Sequence, residues 1–458
     1  TRHIKLSKGD NQITLVGVAA LLDPTSVLLR PLSQGHSLEI LEQNFQFDLI
    51  NYNELLQNFI GKEVEIQQTT ESGEVRIKKA RLLSTGASYQ PQVTNYSARI
   101  NYRSGQYGTP LYEMDGKLFS NPGGQVVLPV PDDFITEPTL QWLADSNKSG
   151  DLQVELSYIT QGVRWQADYV ALLDEKDKHL DLTGWVTLDN RSGKRYENAA
   201  LKIVAGDVNK LSPDAGLRQA ASRPLLRSGV SADSGFEEKP FFEYHLYTLQ
   251  RSTTLNDNEI KQIEFTSAKG VSVTKKYVYD GHIIPRRFRN SDFYTFRERP
   301  EYGKESQSKV WIMMEFNNSK RNNLGIPLPK GRIRLYKRDT DKGQELVGED
   351  LIDHTPEDEK VSLYAGNAFD VVGERTQLDF KVIQSNHIVD ETIEITIRNH
   401  KKQSVVVDVL EHLNRSQQWE IRGQSHKHNK LDAANIEFPI QVAAGGTEKV
   451  TYTVRYSW

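Results

Sequence analysis

Leu180-Asp181-Leu182-Thr183-Gly184-Trp185-Val186-Thr187-Leu188-Asp189-Asn190 places Leu180, Leu182, Gly184, Val186 and Leu188 at every second position. In an extended chain, residues two apart point to one face, so this set reads as the buried face of an antiparallel strand. The intervening residues suit a face in contact with water. The same rhythm recurs at Leu152, Val154, Leu156 and Tyr158, and at Val271, Val273, Lys275, Tyr277 and Tyr279. It returns at Val310, Ile312, Met314 and Phe316, and at Ile393, Ile395 and Ile397. The chain is therefore expected to be all-β, built of several antiparallel β-sandwiches.

Working outward, turns punctuate these strands. Lys62–Ile66 and Glu74–Ile77 flank Glu71-Ser72-Gly73 and predict a hairpin. Asp115-Gly116 supplies the positive φ angles of a two-residue hairpin loop. Two short helices are expected. Asn53–Gly61 has a cap asparagine and a closing glycine, and Thr136–Leu143 has a cap threonine with Pro138 in its first turn. Three strands end in asparagine, at Asn190, at Asn317-Asn318 and at Asn399, where left-handed φ or a bond to local backbone is expected. Residues 211–240 are rich in Ser, Arg, Gly and Pro and read as a loop. The expected organisation is an N-terminal β-region over 1–150, a small barrel or sandwich. A central sandwich follows over 151–375, interrupted by the 211–240 loop. An Ig-like sandwich over 376–458 closes the chain, with Trp419 as a core candidate.

Composition excludes several classes. The 458 residues carry 57 Lys plus Arg against 61 Asp plus Glu, a formal charge of −4, which argues against a nucleic-acid partner. No apolar run approaches the roughly 18 residues of a membrane span. With no cysteine, disulfides, thiol nucleophiles and cysteine-held metals are all removed. The opening Thr1-Arg2-His3-Ile4 has no initiator methionine. It reads as a mature secreted, periplasmic or cell-surface protein whose leader has been cleaved, or equally as a trimmed chain.

Several stretches resemble an uncharacterised bacterial family. That family is defined by a domain of unknown function that also forms the C-terminal part of mucoidy-inhibitor-A-like proteins. They are Tyr158–Tyr169, Gly184–Asn190, Val204–Asn209, Gly325–Gly331, Asp353–Glu359 and Ala368–Val372. The resemblance covers roughly 150–458 and implies an exported, β-rich envelope protein. It implies no reaction. The long coiled coil usual in those relatives has no counterpart here, since no heptads are sustained.

Three motifs bear chemistry. Asp353-His354-Thr355-Pro356-Glu357-Asp358-Glu359 sets a histidine among carboxylates. His354, Asp353, Asp358 and Glu359 are thus weak metal or general-base candidates, against the plainer reading of a turn. His426 and His428, with His412 as a third ligand, form a second weak metal reading against that of a solvated loop. Arg286-Arg287-Phe288-Arg289 and Phe293–Arg299 mix cations with rings. Arg286, Arg287, Arg289, Tyr294 and Arg297 are the candidate interaction residues, for glycan or for a protein surface. The alternative there is a strand hairpin that buries the rings. Trp165, Trp185 and Trp419 are expected as core anchors rather than sugar platforms. No phosphate-cradling glycine loop or nucleophile elbow is found, and no cofactor is expected. The leading expectation is a non-enzymatic structural or adhesive envelope protein, able to form homo-oligomers or filaments through strand edges and loops. A metal-dependent hydrolase and a periplasmic carbohydrate-binding protein are the alternatives.

Overall fold

The computed structural model describes residues 1–33, 35–46, 56–69, 73–86, 109–120, 122–129, 137–206, 236–241, 244–289, 296–339, 341 and 343–458. The described chain is almost entirely β-strand, with 3-10 turns between strands. The alternating stretches form the strands Gly150–Ser157, His179–Asn190, Lys309–Asn317 and Ile388–Asn399. The run 271–279 is divided, ending one strand at Ser272 and continuing in Thr274–Asp280.

Three local expectations change. Thr139–Ser146 is a strand, not a helix: Leu140, Trp142 and Ala144 alternate into a core, a period of two that outweighs the cap-like Thr-x-Pro start. In Asn53–Gly61 the described part begins at Leu56 and is a single helical turn, closed by Gly61 at φ 81° as a left-handed cap requires. Within 211–240, Phe236–Phe241 is a strand paired with Tyr244–Leu249, and the rest of that stretch lies outside the described residues. The Asp115-Gly116 turn joins Leu111–Met114 to Lys117–Phe119, with φ of 51° and 73°.

The chain forms two compact units. One comprises Thr1–Val163 with Asn190–Arg195 and Asn256–Asn258. In it, the sheets Arg2–Leu6/Gly150–Ser157/Leu28–Pro31 and Gly9–Val16/Thr139–Ser146/Leu38–Gln46 share a core of Leu6, Ile13, Leu140, Trp142, Leu152 and Val154. A five-stranded antiparallel sheet between Glu63 and Val127, whose last strand returns to pair with its first, has a separate core around Ile66, Leu82 and Tyr112.

The other unit holds Arg164–Asp189, Tyr196–Leu255 and Glu259–Trp458. Its first core, around Tyr169, Val186, Phe265, Leu328 and Ile333, lies against a five-stranded sheet. In that sheet Val163–Leu173 runs parallel to Gly331–Arg338, in register Tyr169↔Ile333. The second core is enclosed by a nine-stranded sheet ordered Gln418–Gln424, Thr447–Ser457, Ile388–Asn399, Lys360–Gln384, Lys309–Asn317, Thr274–Asp280, Val405–His412, Asn435–Val442 and Asn429–Lys430. Phe438 and Tyr452 belong to strands far apart in this order, yet their rings are 5.5 Å apart. The sheet therefore folds over on itself, and Ile393, Ile395, Val407, Val409 and Ile440 fill the inside. Trp419, on one outer strand, donates Nε1–H to the Ala433 carbonyl and lies under the Lys430 ammonium of the other.

Lys360–Gln384 is a 25-residue strand that feeds Val361 and Leu363 to the first core and Val371 to the second. The boundary expected at 375/376 falls inside it. Asn190, Asn318 and Asn399 are buried, Asn317 is exposed, and none has a positive φ. The side chains of the buried three instead satisfy loop backbone. Asn318 donates to the carbonyls of Ile326 and Pro356 and accepts from Gly325 N–H. Asn399 donates to those of Gln403 and Ala443 and accepts from Lys401 N–H. Asn190 bonds Lys194 and Asn256 in the same manner.

Candidate functional site

The described residues of the arginine–aromatic segment form no strand. Its described parts are a 3-10 turn, Arg286–Phe288, and the stretch from Phe296 into a second turn, Pro300–Gly303. Phe288, Phe296 and Tyr302 bury their rings together, Phe296 and Tyr302 stacked at 4.3 Å. The Phe296 and Arg299 carbonyls each accept one backbone N–H within the turn, and a carbonyl oxygen has a second lone pair that two buried arginines use here. Arg415 donates to the Phe296 and Arg299 carbonyls, both at 2.9 Å, and Arg375 to that of Gly303 at 2.6 Å. Each guanidinium is neutralised in place. Arg375 binds both oxygens of Glu411 at 2.9–3.1 Å, and Arg415 both oxygens of Glu391 at 2.8–2.9 Å. Tyr452 also donates to Glu411, and Gln377 to Glu391. Burial by itself would raise the Glu391 carboxyl, but Arg415 beside it holds it below the usual carboxylate range. The Arg415 plane also lies over the Tyr302 and Phe380 rings, 5.0 and 4.7 Å from their centroids.

Of the expected interaction residues, Arg286 and Arg289 are exposed, Arg287 lies in the first turn, and Tyr294 lies outside the described residues. Arg289 lines a cleft of about 510 Å³ with His282, His412 and Asn414. In it His412 bonds Asn435 Oδ1 at 2.6 Å and Asp280 Oδ2 at 3.1 Å. The hydrogen bond to Asp280 pushes His412 up to about 9, while burial lowers His282. The other Asp280 oxygen, Oδ1, is buried without a hydrogen-bond partner among the described residues. Arg297 lies over the Trp458 ring at 5.0 Å. Both line a polar cleft of about 290 Å³ with Ser416, Gln417, Gln418 and Ser457.

The Asp353–Glu359 motif is a turn-rich connection. Asp353 is almost fully exposed, Asp358 takes left-handed φ at 64°, and the Glu359 carbonyl receives Asn318 N–H. His354 Nδ1 accepts from Lys330 N–H at 3.1 Å. His426 sits near Glu448 and His428 near Gln424, whereas His412 is engaged elsewhere. Among the described residues, no three His, Asp or Glu side chains gather as a metal ion needs. Trp165 and Trp419 pack against the cores, and Trp185 is half-buried.

His354 instead borders a cleft of about 190 Å³, lined by Ala205, Gly206, His245, Tyr247, Pro327–Pro329, Thr355 and Pro356. Two phenols hold one wall: Tyr247 donates to the Pro327 carbonyl at 2.7 Å and Tyr169 to that of Pro329 at 2.6 Å.

A second feature was not anticipated. Where Lys360–Gln384 pairs with Lys309–Asn317, Lys309 faces Val372 and Trp311 faces Asn367, so residues 368–371 stand opposite Val310 alone. Such a bulge re-aims side chains. Phe369, inside it, is 94% exposed. Leu346, Val347 and Leu351 are exposed on Gln344–Ile352, a strand that meets Lys360–Gln384 where Asp350 accepts from Tyr364 N–H.

Residues 154–458 match the family described as a domain of unknown function (DUF4139). The chain belongs to this family. No curated protein matches it. The ion pairs, the three clefts and Phe369 all lie within the DUF4139 region. Three of the stretches behind the resemblance, 204–209, 325–331 and 353–359, supply lining of the DUF4139 cleft beside His354, and a fourth carries Phe369. The individual residues of that cleft gave no sequence signal, because Ala, Pro and Leu read as ordinary loop and core. Phe369 was hidden because its bulge depends on the register of a neighbouring strand.

Proposed function

We propose that the protein is a non-enzymatic structural or adhesive component of the bacterial envelope or cell surface that works by contact. The observation supporting this is Phe369. A benzyl group held out in water forgoes roughly 2 kcal/mol of burial, and in a bulge whose Ala368 and Val371 pack on the second core the Phe369 ring is left exposed. Contact through side chains is favoured over pairing of strand edges. Beyond Val372, Lys360–Gln384 pairs with a strand on one side, and that stretch carries two register shifts and the Lys381–Asp379 ion pair, features that discourage edge pairing. The envelope address is carried over from the resemblance to mucoidy-inhibitor-A-like proteins expected from the sequence and is part of the proposal. Fractionation of cells producing the protein tests it. Wild type should stay with envelope or surface material and Phe369→Ser should be released, whereas a cytosolic wild type would end the proposal.

A carbohydrate-binding reading is favoured by one observation, the polar cleft where Arg297 and Trp458 meet amide and hydroxyl side chains. Glycan binding lost in Trp458→Ala would support it, and an unchanged glycan profile would remove it.

A further inference from the structure

We infer that Phe369 of one copy seats in the cleft beside His354 of a second copy, joining chains head to tail. This rests on the contact reading above and names its partner. Size is the first argument. An apolar cavity near 150 Å³ accepts benzene, and this cleft holds about 190 Å³. The lining is the second. Ala205, Tyr247, Pro327, Leu328 and Pro329 supply apolar and aromatic walls, the surroundings a phenyl ring prefers. Its own Phe369 does not fill it, being 94% exposed. Charge is the third. Asp370 follows the ring and forms no ion pair among the described residues. Lys330, next to the lining residue Pro329 and bonded through its backbone to His354, is exposed, and its ammonium, 3.8 Å from the exposed Asp353 carboxylate, is loosely held and can turn to Asp370.

Knob and cleft come from different elements of one unit, and joined head to tail, one contact between each pair of copies, they make a heterologous interface, whereas a reciprocal pair of contacts would close a dimer. A heterologous contact that does not close into a ring adds copies without limit. Sedimentation velocity on the full chain, from nanomolar to high micromolar concentration, tests this with two variants. Phe369→Ser removes the knob, and His354→Trp plugs the cleft from an exposed turn position. Wild type should grow beyond dimer as concentration rises, and each variant alone should remain monomeric, with association roughly 30-fold weaker or less. An equal mixture should form heterodimers and nothing longer, since one copy keeps its knob and the other its cleft. Circular dichroism confirms that each variant is folded. If His354→Trp does not fold, Thr355→Trp takes its place. A wild type that is monomeric throughout or stops at dimer, a Phe369→Ser variant that assembles as wild type does, or a mixture that stays monomeric overturns the inference. Phe369-dependent retention in the envelope by a monomeric wild type would overturn the second-copy occupant while leaving the contact reading intact.

Discussion

Strand Lys360–Gln384 begins in one core and ends in another, and the two are finished with different chemistry. Beside the first, loop carbonyls at Pro327 and Pro329 are met by the neutral phenols of Tyr247 and Tyr169. Beside the second, carbonyls at Phe296, Arg299 and Gly303 are met by the guanidiniums of Arg415 and Arg375, each balanced by a buried glutamate. The difference follows the backbone to be covered. A tyrosine has one O–H to give, which suits a loop needing one bond at each point. A guanidinium has five N–H donors in a fixed plane, so one side chain satisfies several carbonyls and a carboxylate together. That capacity comes with a buried charge, and the segment 296–303 depends on it.

The sharpest test of this contrast is Glu391→Ala. It leaves Arg415 charged, buried and unpaired, and should cost about 3–5 kcal/mol in chemical denaturation. A loss under about 1 kcal/mol would mean that water reaches the clamp and that the two cores do not differ in kind. The same pair sets an acid limit. Because Glu391 is held below the usual carboxylate value of 4.5, its contribution is present above that pH and is lost as the pH falls through the lowered value.

The second core has an alkaline limit as well. His412 links Val405–His412 to Asp280 and Asn435 and is raised from 6.5 to about 9. A raised histidine contributes fully below pH 6.5 and loses that contribution as pH climbs through 9. The side chain is 30% exposed, so solvent screening limits the effect to about 1–2 kcal/mol. Melting temperature followed from pH 6 to 10 should fall in wild type and stay flatter in His412→Asn. Parallel curves would remove the linkage.

How far this contrast was legible in the sequence follows from its parts. Period-two apolar residues such as Ile393, Ile395 and Ile397 announce strands because side-chain alternation is local. Thr139–Ser146 misled because a Thr-x-Pro start and two leucines resemble a capped helix, and only its place between two partner strands decides the matter. Arg375, Glu391, Glu411 and Arg415 were unreadable. On alternating strands a charged residue such as Arg375, Glu391 or Glu411 normally faces water, Arg415 lies in a turn, and the partners lie 24 and 36 positions apart. The arginine-rich segment drew attention, yet its buried rings and carbonyls hold the fold, while the exposed ring is Phe369. The strand-ending asparagines were seen in sequence, but their role in bridging loops needed tertiary neighbours such as Ile326 and Pro356.

On the first core's side, Tyr247→Phe removes one neutral hydrogen bond to Pro327 and keeps the ring, so the expected loss is about 1 kcal/mol. That is several-fold below Glu391→Ala. Comparable losses from the two substitutions would erase the distinction drawn above.

The smallest effect is expected at Phe369. Its ring makes almost no contact within its own chain, so Phe369→Ser should leave the monomer's denaturation midpoint within about 0.5 kcal/mol of wild type. Removing an exposed ring also removes a source of non-specific association, so solubility should rise. The bulge at 368–371 is set by backbone pairing on both flanks, Trp311↔Asn367 and Lys309↔Val372, and does not need the ring to persist. A destabilisation above about 1.5 kcal/mol would show that Phe369 packs against its own chain in solution, and the exposed apolar surface would lose its claim to a partner. A neutral result would leave a side chain that costs the fold nothing to lose, the property expected of a residue kept for contact with another molecule.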